Sequence, residues 1–197
     1  MKQDQFGELL LQALEHERGG VKVYETALKC VINDDLKEEF EKYLQETRRH
    51  EQILTELCGL MTLDPDVDTP GRVIVRSMGQ SLVEAMEMAI KSGDKVAAQL
   101  VACESVVLAE TKDHLIWELI GKCAVKLDAK MKKVFLERQE EVEDQEDEHL
   151  YHSKGWCREL WIEALGMKAI LPPPEEEKHV KTAIGAARAE QSAPPTR

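Results

Sequence analysis

Two segments, Glu46-Thr47-Arg48-Arg49-His50 and Glu110-Thr111-Lys112-Asp113-His114, repeat one pattern, a carboxylate and an imidazole four residues apart. On a helix such residues lie one above the other on the same face, so each segment presents both groups side by side. Carboxylate and imidazole together are suitable ligands for a borderline transition metal. Both segments sit among apolar residues at three- and four-residue spacing, the mark of an amphipathic helix. The reading that accommodates both is a helical bundle with a carboxylate–histidine metal site in its core.

Working outward from the first segment, a stripe of Leu36, Phe40, Tyr43, Thr47, His50, Leu54 and Leu57 predicts a helix from Leu36 to Met61. Upstream, Phe6, Leu10, Ala13, Val21, Tyr24, Leu28 and Val31 predict a helix from Phe6 to Ile32. Asn33-Asp34-Asp35 supplies a turn with capping chemistry between them. A hairpin turning there sets Glu17 and His50 at the same height, facing each other. Glu17 interrupts the apolar stripe, and a buried carboxylate needs a cation or a proton. Arg48 or Arg49 could supply that cation as readily as a metal. Gly19-Gly20 beside it predicts a kink or a close helix approach, because glycine costs about 1 kcal/mol in a helix interior.

The stretch from Leu63 to Gly71 contains three Asp residues and two prolines. It lacks the spacing and terminal Glu of a calcium-binding EF-hand and reads as a loop. A shorter helix from Arg72 to Lys91 follows, with Ile74, Met78, Ala85 and Met88 expected on its apolar face, Met78, Met86 and Met88 as packing residues, and Glu84 and Glu87 solvated. Ser92-Gly93-Asp94 opens a helix from Lys95 to Cys123 that is apolar on several sides, as expected in the middle of a bundle. Its rotation decides whether Glu104 or Glu110 points inward, and His114 favours Glu110. The last helix, from Asp128 to Leu165, carries Phe135, Val142, His149 and Trp156 in its stripe. Glu143, Glu146 and His149 are expected to face inward, with His152 left open. Glu146-x-x-His149 has the spacing used in di-iron bundles.

The 197 residues fit one domain over residues 1–170, with a Pro-rich start to a disordered tail at residues 171–197. A formal charge of −12 argues against nucleic acid as the main partner, since phosphate needs clustered Lys and Arg. Five scattered cysteines without a C-x-x-C pair read as reduced thiols. The opening Met1-Lys2-Gln3-Asp4-Gln5-Phe6 leads into no signal-peptide core, and no apolar run reaches the ~18 residues of a membrane span. A cytoplasmic location, without membrane association, is the expectation.

The pattern resembles the ferritin-like superfamily and, within it, the YciF-type bacterial stress-response proteins. The likeness spans about the whole bundle and is carried by Leu44-Gln45-Glu46-Thr47, by Glu110 and by the acidic run around Glu143. It implies an all-α fold: an antiparallel four-helix bundle of the first, second, fourth and fifth helices, with the extra short helix between the two pairs. It also implies a buried two-metal site for iron or manganese, with Glu17 and Glu110 as single carboxylates and Glu146-x-x-His149 as one Glu-x-x-His pair. The second helix departs from that pattern, offering Glu46 and His50 four apart. The candidate metal residues are therefore Glu17, Glu46, His50, Glu110, His114, Glu143, Glu146 and His149. The implied function is metal binding in oxidative or general stress, often by a homodimer. The alternatives are a metal-free structural or interaction bundle and a di-iron oxygenase with an unknown substrate.

Overall fold

A computed structural model describes residues 1–168 and contains five helices: α1 (Gln3–Cys30), α2 (Asp34–Leu60), α3 (Pro70–Ser92), α4 (Lys95–Ala124) and α5 (Ala129–Ala164). The expected disordered tail at residues 171–197 lies outside the described residues. Each helix N-terminus from α2 onward has a side-chain cap. Asn33 accepts from Leu36 N–H, Thr69 from Arg72 N–H with Pro70 in the first turn, Asp94 from Val96 and Ala97, and Asp128 from Lys130 and Met131. These caps satisfy donors that the first helical turn leaves without partners. Gly93 closes α3 in the left-handed conformation, φ 81°, which a side chain would disfavour. Among the described residues no helix is long and apolar enough to cross a membrane.

Short turns join α1 to α2 and α4 to α5, while α3 packs on α1 and α4. The core divides into two apolar clusters. One holds Phe6, Leu10, Leu14, Ile53, Leu57, Trp117, Ile120, Phe135 and Val142. The other holds Tyr24, Ala27, Leu36, Phe40, Tyr43, Met86, Ala102, Val106 and Trp156. Between them, at mid-height, runs a layer of buried polar side chains: Glu17, His50, Glu110, Asp113, Glu146 and His149. The α2–α5 seam is bridged by long charged pairs, Lys42–Glu148 at 2.6 Å, Arg49–Glu141 at 2.9 Å and Arg138–Glu56 at 2.9 Å.

The Gly19-Gly20 pair lies within a continuous helix, and Gly20 marks a tight approach to α2. A Cβ at Gly20 would lie 3.2 Å from Thr47 Cγ2, and one at Gly19 would lie 3.8 Å from the Gly79 Cα. The α3 face is the reverse of the one expected. Ile74, Met78 and Met88 are 62%, 53% and 66% exposed, whereas Val75, Val83 and Met86 are buried. The rotation is set by Arg72, which is buried and donates to Glu15 Oε2 at 2.8 Å and to the carbonyls of Pro65 and Val67 at 2.8 and 2.7 Å. Arg76 holds the other Glu15 oxygen at 2.6 Å and also reaches Asp68. Two arginines thus tie α3 and the preceding loop to α1, and of the apolar residues between them Val73 and Ile74 turn outward while Val75 packs inward.

Candidate metal centre

Each of the four helices around the polar layer contributes to one cluster. Glu17 comes from α1, His50 from α2, Glu110 and Asp113 from α4, and Glu146 and His149 from α5. Within it are two sets of three ligand atoms, each set lying within 4.8 Å of one another: Glu17, His50 and Glu146, and Glu110, Glu146 and His149. Glu146 belongs to both. Its Oε1 is 3.0 Å from His50 Nδ1 and 3.8 Å from His149 Nδ1. Glu17 Oε1 stands 3.8 Å from His50 Nδ1, and Glu110 Oε2 stands 3.5 Å from His149 Nδ1. Metal–ligand bonds of about 2.1 Å put neighbouring ligand atoms about 3–4 Å apart, so these separations are of the right size.

The outer hydrogen bonds fix how the imidazoles face. His50 Nε2 meets Gln145 Oε1 at 2.7 Å, and His149 Nε2 meets Glu46 Oε2 at 2.9 Å. Both acceptors oblige the Nε2 atoms to carry protons, which turns both Nδ1 atoms toward the cluster. Histidine ligands are oriented in this way by second partners. Tyr24 donates to Glu110 Oε1 at 2.8 Å and Trp117 Nε1 to Glu17 Oε1 at 2.9 Å, leaving the second oxygen of each carboxylate buried without a partner. Both Glu146 oxygens, Asp113 Oδ1 and the Nδ1 atoms of His50 and His149 are likewise buried without a hydrogen bond.

The electrostatics follow from crowding acids in a dry layer. Burial, and then the neighbouring Asp113 charge, raise Glu17 and Glu146 well above the ordinary carboxylate range. Burial and the Glu110 charge do the same to Asp113. Burial pushes Glu110 up as well, but its contacts with His149 and Tyr24 outweigh that and leave it lowered. His149 is the counterpart: burial lowers it, yet Glu110 and Glu46 lift it to about 9. Burial and the His149 charge take His50 down to about 4. A neutral His50 therefore aims a lone pair at Glu146 Oε1, and two acceptors in contact need a cation between them. A proton or a metal ion can fill that place.

No family model, curated protein or solved structure matches this chain. Its chemistry is therefore read from the cluster alone.

Of the residues expected from sequence, Glu17, His50, Glu110, Glu146 and His149 converge. Glu46 stands outside the cluster, as the partner of His149 Nε2, with Lys42 3.8 Å away on its outer side. His114 does not join them: it is half-buried and pairs with Asp147 at 2.7 Å, because the rotation that turns Glu110 and Asp113 inward carries position 114 toward the surface. Glu143, expected inward, is exposed and accepts from Gln139, since Val142 and Glu146 occupy the inner face of α5. Glu104 is exposed and bonds Trp161 Nε1 at 2.9 Å. Asp113 was missed, although Glu110-x-x-Asp113 has the same spacing as Glu146-x-x-His149. A second set, Glu39, Glu148 and His152, lies nearby. Tyr43 donates to Glu39 at 2.6 Å, Trp156 Nε1 also binds Glu39, and Lys42 holds Glu148, so these acids already have donors.

Proposed function

We propose that this chain is a ferritin-like two-metal protein, an antiparallel bundle of α1, α2, α4 and α5 with α3 inserted, binding iron or manganese in a stress-response role. The observation that carries the reading is the convergence of oriented ligand atoms: the Nδ1 atoms of two imidazoles and oxygens of four carboxyl groups lie together in buried space without hydrogen-bond partners. Glu17 and His50 would hold one ion, Glu110 and His149 the other, and Glu146 would be shared. Oxygen-rich sites with imidazole suit iron and manganese, whereas the cysteines, which would favour softer ions, are not part of the cluster.

The protein's own part is preorganisation. Tyr24 fixes Glu110 Oε1, so that Oε2 is presented to His149, and Trp117 fixes Glu17 Oε1, the oxygen that faces His50. Gln145 and Glu46 hold the histidine tautomers. The two apolar clusters above and below exclude water and strengthen every charge interaction in the layer. When bound, such a metal pair supplies redox chemistry with oxygen or peroxide. Thr47, on the inner face of α2, packs against Gly20, so that helix would supply His50 alone to the metal pair.

A metal-free structural bundle must instead keep protons on Glu17, Asp113 and Glu146, which costs stability as pH rises toward neutral. Metal analysis of protein purified without chelator tests the proposal. The expected result is up to two equivalents of iron or manganese, lost together in Glu146→Ala and reduced to one in Glu17→Ala. Equal metal content in wild type and Glu146→Ala would defeat it.

A further inference from the structure

A cavity of ≈ 200 Å³ opens between α1, α3 and α4, on the side of α1 and α4 away from the polar layer. Its walls are apolar: Val23, Val75, Leu82 and Leu108 surround bare backbone at Gly19 and Gly79. Close packing does not demand those glycines. A methyl at Gly19 would meet only the Gly79 Cα, at 3.8 Å, and one at Gly79 only the Gly19 Cα, at 3.5 Å, both ordinary contacts. Each glycine nevertheless costs about 1 kcal/mol relative to alanine in a helix interior. What they preserve is open volume. A cavity of about 150 Å³ with apolar walls accommodates a benzene ring, so this one has room for a ring and one small substituent.

The charges at the cavity decide what that substituent is. Glu15 lines it, but its carboxylate is taken by Arg72 and Arg76. The His16 ring is bound through Nε2 to the Ala109 carbonyl at 3.0 Å. Lys112 is half-buried at the cavity and has no ion pair among the described residues. Most other half-buried or buried cations on this acidic chain do pair with acids, including Arg18, Arg48, Arg49, Arg72 and Arg138. An unpaired ammonium beside an apolar hollow is complementary to an apolar molecule with one negative end.

We propose that this cavity binds a small apolar monocarboxylate, its hydrocarbon body between Val23, Val75 and Leu82 and its carboxylate on Lys112. The site stands apart from the metal reading and does not require it. Calorimetric titration of the full chain with benzoate and with benzyl alcohol, its near-isosteric neutral counterpart, tests it. Benzoate binds the wild type more tightly than benzyl alcohol. Lys112→Met weakens benzoate by about tenfold, the scale of one partly desolvated ion pair, and leaves benzyl alcohol unchanged. Lys112→Arg restores benzoate binding. Failure of the wild type to bind benzoate at millimolar concentration, or equal benzoate affinity in wild type and Lys112→Met, overturns the proposal. So does a stable dimer that Leu108→Glu splits, which assigns the apolar rim to a second copy of the chain.

Discussion

At the residue scale, the site separates groups that sequence spacing alone treats as equivalent. Glu46 and Glu110 head the same Glu-x-x-x-His pattern, yet Glu110 faces the cluster and Glu46 stands behind His149. The difference lies in helix rotation: α2 turns Thr47 and His50 inward, at three-residue spacing, and leaves Glu46 on the flank. For the same reason His114 was legible as a pattern but not as a ligand, and Asp113, its neighbour, was the residue that turned inward. These positions are not readable from periodicity because α4 is apolar on several sides and gives no single stripe to fix its rotation. A variant that keeps shape while changing the outer hydrogen bond distinguishes the two roles. Glu46→Gln should retain two metal equivalents and bind them about 10–100-fold more weakly, the usual effect of losing an outer histidine partner. Loss of one whole equivalent in a competition titration would instead make Glu46 a ligand.

At the element scale, helix boundaries were the most legible feature. Asn33, Thr69-Pro70, Asp94 and Asp128 are local capping signals that need no tertiary information. The orientation of α3 was hidden, since Val73, Ile74 and Val75 offer an apolar residue to any face. A polar residue settles it: Arg72 is only 1% exposed and satisfies Glu15 together with two loop carbonyls. Arg72→Ala should therefore destabilise the protein by about 3 kcal/mol, the low end for a broken buried pair because Arg76 still neutralises Glu15. Urea unfolding measures this, and a change below 1 kcal/mol would mean that packing, not the arginine, sets the rotation. The pair also has an acid limit. Burial raises Glu15, but Arg76 and Arg72 outweigh that and hold it lowered, so its contribution is present above the usual carboxylate range and is lost as pH falls through its depressed value.

At the scale of the whole molecule, three acids of the polar layer, with His149, give the metal-free chain the opposite pH dependence. They outnumber Glu110 and His50, whose lowered values act in the same sense as Glu15. Glu17, Asp113 and Glu146 have raised values when folded, so the folded state holds protons that the unfolded chain releases. Their protonated forms are fully compatible with folding below the unfolded pKa, and stability is lost as pH rises toward the raised values. Metal-free protein should melt at a lower temperature at neutral pH than at mildly acidic pH above the Glu15 limit, and added Fe(II) or Mn(II) should remove most of that decline. A melting temperature that is flat over this range without metal would show that the layer carries no such strain. The layer also decides where the molecule is weak. Most bundles fray from their ends, but this one has an oily block at either end and repelling acids across its waist. Every long helix crosses that plane once, so an emptied centre loosens the middle of four rods together while both ends stay closed. If the layer holds metal as proposed, the survival of such a chain among proteases would follow its metal supply, and its abundance would register scarcity without any separate sensor.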